Sequence, residues 1–163
     1  MTADNGSGAR LEIAGYASVF NIEDHSGDIV RPGAFADSLA KRGAEGIRML
    51  FQHEADEPVG VWDEVHEDAR GLYVRGHILE TTGRGAATAA LIREGAVDGL
   101  SIGFRVLDEK LRADGKGRVL TRLDLWEISI VTFPMAEGAR LEILPAPEAE
   151  DTQVEAFLDT VLA

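Results

Sequence analysis

Hydrophobic and polar residues alternate with a period of two along several stretches of the chain, the spacing of half-buried strands. Leu11–Phe20 reads as a first strand, followed by the polar loop Asn21–Asp28. Pro32-Gly33 then opens a short helix of about two turns, with Ala34, Phe35, Leu39 and Ala40 at helical spacing and Gly43 as its stop. Ile47–Gln52 is a continuous apolar run suited to a buried strand, and His53 stands at its end. Val59–Val65 and Gly71–Leu79 predict a hairpin, because Leu72, Val74 and Ile78 alternate with Tyr73, Arg75 and His77. The Ala-rich segment Gly83–Glu94 reads as a helix ended by Gly95.

Val97–Val106 alternates again, with Leu100, Ile102, Phe104 and Val106 on one face and Gly99, Ser101, Gly103 and Arg105 on the other. The polar segment Asp108–Gly117 is expected to be a loop. Val119–Phe133 is apolar on both faces, which predicts a central strand: Leu123, Leu125, Val131 and Phe133 on one, Trp126, Ile128 and Ile130 on the other. The strands outnumber the helices, so the expected class is α+β, mainly β. Residues 1–10 read as a flexible start and 11–144 as one domain. Residues 145–153 read as a Pro- and acid-rich linker. In 154–163, Val154, Phe157, Leu158, Val161 and Leu162 share one helical face, suiting either a terminal helix packed on the domain or a docking helix for a partner.

Charge and cysteine content narrow the functions. The 163 residues carry 29 acidic against 16 basic side chains, a net charge of −13, which disfavours phosphate backbones and acidic membranes as partners. There is no cysteine, so thiol nucleophiles, thiolate metal sites and disulfides are excluded. No signal-like segment or long apolar run is present, and an intracellular protein is expected.

Gly99-Leu100-Ser101-Ile102-Gly103 matches the G-x-S-x-G pattern of a nucleophile elbow, but the strand alternation continues through Phe104–Leu107 where that elbow needs a helix. The order is also wrong for an α/β-hydrolase, since no histidine follows His77. Ser101 remains a candidate nucleophile: glycines two residues to either side clear space on its face for a substrate backbone, or else mark a tight packing of two chains. Of the four histidines, His66 and His77 lie among exposed-looking residues, and His25 is in a polar loop as a turn residue or substrate contact. His53, at the end of Met49-Leu50-Phe51, is the candidate base, with a structural histidine as the other reading. Glu127 sits among apolar neighbours, where an unpaired carboxylate costs several kcal/mol, so it needs a partner: an imidazole, or an arginine such as Arg75 or Arg105. Ser129 shares its face and fits the same network.

Four ordered segments resemble the prohead maturation proteases of tailed phages, a serine-protease family related in fold to the herpesvirus assembly proteases. They are Gly15-Tyr16-Ala17-Ser18-Val19-Phe20 leading through Asp24 and Gly27-Asp28 to Pro32-Gly33-Ala34-Phe35; Leu50-Phe51-Gln52-His53 followed by Pro58-Val59-Gly60; Gly99–Phe104; and Glu127-Ile128-Ser129-Ile130-Val131 ending in Pro134. The family usually continues with Ala-Asn after that proline, and here Met135-Ala136 follows.

The resemblance implies a small, mainly antiparallel β-barrel flanked by helices, like that of herpesvirus proteases. It implies His53 as base, Ser101 as nucleophile and Glu127 as third member of a triad, with no cofactor and no metal. The substrates would be the scaffold and the leader of the major capsid protein, with self-cleavage and dimer formation expected. No nucleic acid and no membrane would be partners. The setting would be the assembling prohead, in the cytoplasm of a bacterial host, for a phage or a phage-derived gene-transfer particle. Two rivals stand beside this: a non-catalytic assembly or scaffold module on the same fold, and a metal-dependent hydrolase using His25, His53 and nearby carboxylates.

Overall fold

The long apolar pattern near the end of the domain becomes the strand that organises the rest. In the computed structural model, which describes residues 8–146, it is β7 (Arg118–Val131), and three strands pair with it. β6 (Gly99–Leu111) runs antiparallel along one edge for nearly its full length. The other edge is shared end to end by β2 (Ile29–Val30) and β3 (Arg48–Phe51), both parallel to β7. The sheet continues from β3 through β4 (Pro58–Glu67) and β5 (Gly71–Leu79) to β1 (Arg10–Val19) and β8 (Leu141–Ile143), all antiparallel.

Alternation places the side chains as expected on β5, where Leu72, Val74 and Ile78 are fully buried and Arg75 is exposed. They meet Ile13, Trp62, Leu100, Leu125 and Ile130 in one apolar core. At roughly 25 cal/mol per Å² of apolar area removed from water, this core is the main source of stability. Two helices lie against the sheet. α1 (Ala36–Arg42) packs on β7, where Ser38 Oγ accepts a 2.8 Å hydrogen bond from the Leu125 amide and Arg42 reaches the buried Asp124 at 3.0 Å. It ends at Gly43 with φ 65°, a conformation that glycine adopts without penalty. α2 (Gly83–Arg93) lies against β4 and β5, capped by the Thr82 hydroxyl, which accepts from the Gly85 amide at 3.0 Å.

The fold is mainly β with few helices, but strand pairing does not close it into the expected barrel. β8 is only three residues long, and just before it the chain meets β6 through a single bridge, Gly99 to Arg140. Beyond that bridge a gap opens between β6 and the end of β1, and a cleft occupies it.

Other expectations shift too. β6 runs on through Asp108–Lys110 to Leu111, where a loop was expected. That arm pairs with the start of β7 away from the core, so it has no apolar face to reveal it: Leu107 is 44% and Leu111 82% exposed. Trp126 and Phe133, expected within the apolar pattern, are exposed. The pairing passes from Gly103–Glu127 to Phe104–Leu125, leaving Trp126 as the extra residue of a bulge, and Phe133 lies beyond the end of β7. His77 is largely covered rather than on the surface, and its Nδ1 meets Asp63 at 2.8 Å. The expected 145–153 linker, beyond its first two residues, and the 154–163 helix lie outside the described residues, as do the first seven residues of the expected flexible start.

One ion pair, between the buried Asp28 and the partly exposed Arg118, ties the Asn21–Asp28 loop to β7. Asp28 accepts from Arg118 at 2.6 Å and 3.1 Å through the guanidinium and at 3.2 Å through the amide, which holds its carboxyl below the usual carboxylate range. A depressed pKa contributes stability above the unfolded value near 3.9, and that contribution is lost as pH falls through the folded value. Arg118→Ala strands a buried carboxylate and is expected to cost about 3 kcal/mol in urea unfolding at pH 7, the difference narrowing below about pH 4.

Candidate active site

β3 delivers His53 by an unusual turn. The strand ends at Phe51, and Gln52 and His53 both take left-handed backbone, at φ 54° and 60°. For non-glycine residues this costs about 1–2 kcal/mol each, so the surrounding structure must hold it. It does so from the end of β7. The Gln52 amide donates to the Ile130 carbonyl at 2.9 Å, the Gln52 side-chain amide donates to Thr132 Oγ1 at 2.6 Å, and the His53 amide donates to Ser129 Oγ at 3.0 Å.

This turn sets the imidazole against β7, where Nδ1 of His53 is hydrogen-bonded to Oε1 of Glu127. The Glu127 side chain is 14% exposed, and its second oxygen accepts from Ser129 Oγ at 2.6 Å. The carboxylate beside it raises the His53 pKa above its ordinary 6.5, against the opposing pull of partial burial. With Nδ1 engaged by Glu127, Nε2 is the ring nitrogen left to exchange a proton.

Strand register explains why a glycine stands at 103. Gly103 on β6 is directly opposite Glu127, and a Cβ there would lie 2.1 Å from Glu127 Oε1. The glutamate side chain therefore lies across the space that any other residue would fill. Gly99 is similarly crowded: a Cβ added to it would meet the Val131 carbonyl oxygen at 2.7 Å and Pro134 Cδ at 2.8 Å. The expectation that both glycines clear room for substrate is thus corrected: they accommodate Glu127, Val131 and Pro134, the second reading, of tight packing, being the one the structure supports.

Ser101 lies between those glycines, directly opposite Ser129, and is 8% exposed. It shares with His53 the wall of the cleft between β1 and β6, about 240 Å³ in volume. Ile22, Ile102, Phe104 and Met135 give that cleft apolar surface, and the Asp28–Arg118 pair gives it a polar end. The structure therefore joins His53 to Glu127 by a hydrogen bond and places Ser101 with His53 on one cleft.

The arginine alternatives for Glu127 are not taken up: Arg105 approaches Asp124 instead, at 3.5 Å. His66 pairs with Glu64 on the exposed edge, and the His25 amide donates to the Met135 carbonyl, linking two segments beside the cleft. Among the described residues, the side chains near enough to share a cation are Glu12, Asp63 and His77, a group containing neither His25 nor His53. The metal-hydrolase reading therefore has no support at the histidines it required.

Sequence reasoning missed the Asp28–Arg118 wall, whose partners are 90 positions apart and carry no local signal, and the demand that Glu127 makes on Gly103.

Residues 1–156 match the family model described as Caudovirus prohead serine protease. The prohead protease of Enterobacteria phage HK97 is 38% identical over 149 residues, covering 90% of this chain and 66% of that protein. The chain thus spans about two thirds of the length of the curated relatives it matches. Among solved structures, the bacteriophage T4 capsid assembly protease superposes with a TM-score of 0.64 at 13% identity, over 76% of this chain and 82% of that one. The varicella-zoster virus protease gives 0.54 at 15% identity, over 94% and 76%. At these identities the two structures establish a shared fold.

Proposed function

The chain belongs to the Caudovirus prohead serine protease family, and from that premise we propose that it is a serine endopeptidase of capsid maturation, with Ser101 as nucleophile, His53 as base and Glu127 as the residue that orients the base. The observation that carries this reading is the His53–Glu127 hydrogen bond at the edge of the cleft that Ser101 also lines.

Ser101 Oγ attacks the scissile carbonyl carbon while His53 Nε2 takes its proton. The Glu127 carboxylate stabilises the imidazolium so formed. Collapse of the tetrahedral intermediate breaks the C–N bond, and His53 returns the proton to the leaving amine. The acyl group stays on Ser101 as an ester. Water, deprotonated by the same imidazole, then hydrolyses that ester and restores the hydroxyl.

The substrates in this proposal are the scaffold and the scaffold-like leader of the major capsid protein, and the site of action is the assembling prohead. Self-cleavage, dimer formation and recruitment through residues 154–163 belong to the same reading. None of the helices among the described residues is long and apolar enough to cross a membrane.

A serine-directed organophosphonate tests the chemistry without knowledge of the cleavage site. Peptide mapping is expected to find the adduct on Ser101 in wild type, and to find none after His53→Ala. An adduct on a different serine would remove Ser101 from the mechanism. No adduct on a folded protein, together with no cleavage of a matched substrate, would favour the non-catalytic assembly module.

A further inference from the structure

Glu127 and His53 meet again at one buried atom. Ser129 is fully buried on β7, and its hydroxyl has one proton to donate and lone pairs to accept. The proton goes to Glu127 Oε2 at 2.6 Å, the oxygen not engaged by the imidazole. The same Oγ accepts the His53 amide at 3.0 Å. A single oxygen thus holds the carboxylate from behind and the backbone of the histidine that the carboxylate orients.

We infer that Ser129 is a positioning residue of the active site, locking Glu127 and the left-handed turn at His53 into one rigid unit. The inference rests on the triad reading above.

Two alternative geometries show what the lock prevents. Without the Ser129 donor, the imidazole is the one hydrogen-bond partner left to the Glu127 carboxylate among the described residues, and rotation about the glutamate side chain becomes easier. Without the Ser129 acceptor, His53 loses the bond made by its own amide in a strained, left-handed backbone conformation. Either relaxation displaces the imidazole, and errors of about 1 Å in a reacting group cost roughly a hundredfold in rate. Alanine supplies neither contact, whereas threonine supplies both.

Ser129→Ala is expected to lower kcat about 10- to 100-fold while KM stays within about twofold, because substrate binding in the cleft does not involve this atom. Ser129→Thr should recover most of the loss. A second readout needs no turnover: the His53 pKa, followed by NMR in a Ser101→Ala background, should fall toward the ordinary 6.5 as the Glu127 bond loosens. A purely electrostatic role predicts the opposite, since a carboxylate relieved of one hydrogen-bond donor would attract the imidazole proton more strongly. A kcat within twofold of wild type, or a His53 pKa unmoved or raised, would overturn the inference. Should the alanine variant fold poorly, Ser129→Cys, close in size and weak as a donor, carries the same two readouts. Full cleavage by Ser101→Ala alone would instead sink the triad reading, whatever position 129 shows.

Discussion

Alanine at position 101 is expected to leave a folded protein that cuts its matched capsid-protein or scaffold substrate about ten-thousand-fold more slowly than wild type, or slower. Deleting the hydroxyl removes the atom that would form the acyl-enzyme. The remaining triad members then have no nucleophile to activate, which is why losses of this size follow when one member of such a unit is removed. The fold should tolerate the change, because Ser101 stands on the wall of an open cleft and the substitution removes one oxygen from it. A thermal midpoint within about 4 °C of wild type would show that the loss is chemical. The measurement is intact mass of each protein, alone and with its cognate capsid or scaffold protein. Fragments from wild type alone support the assignment. Identical fragments from both would take the role from Ser101. No fragments from either, with a correctly matched substrate, would advance the assembly-module reading.

Glu127→Gln is expected to reduce kcat about a thousand- to ten-thousand-fold and to move the pH profile in a defined direction. Glu127 raises the His53 pKa, so in wild type the acid limb of kcat/KM should lie above 6.5. The base works as neutral imidazole, so activity is lost as pH falls through that limb. Glutamine keeps the shape and removes the charge, and the limb should move down toward the ordinary value.

Stability carries the opposite sign. A raised histidine pKa stabilises the fold fully below the unfolded value near 6.5 and ceases to do so as pH rises through the folded value. The destabilisation caused by glutamine should therefore be larger at pH 5 than at pH 9. Gly103→Val offers a route to the same site from the neighbouring strand. Its Cβ would lie 2.1 Å from Glu127 Oε1, so the carboxylate must leave its place, and both the rate loss and the shifted limb should appear. A wild-type profile flat from pH 5 to 8 would remove His53 as the base.

The longer strands and both helices were legible in the sequence, and His53, Ser101 and Glu127 stood out as candidates, because each leaves a local mark; the two short strands at Ile29–Val30 and Leu141–Ile143 were not. Alternation at Leu72–Ile78 records a sheet face, Gly43 and Gly95 record helix ends, and a carboxylate among apolar residues at 127 records a need for a partner. Burial of that kind leaves its trace in composition, since a wrong residue there costs free energy wherever its partner comes from. The identity of the partner carries no such trace. That Glu127 meets His53 rather than an arginine depends on β3 lying parallel to β7 with Arg48 opposite Glu127, a register set by contacts far apart in the chain.

Two further features were decided by tertiary structure alone. The open seam between β1 and β6 follows from the short pairing of β8, and it turns an expected closed barrel into a sheet with a cleft beside Ser101. The glycine at 103 reads as room for substrate until β7 places a glutamate across it. By itself the sequence determined which longer segments become strands and most of the side chains that must be covered, because periodicity and desolvation act residue by residue. Only the fold decided which of those side chains face one another, because register is settled jointly by every strand in the sheet.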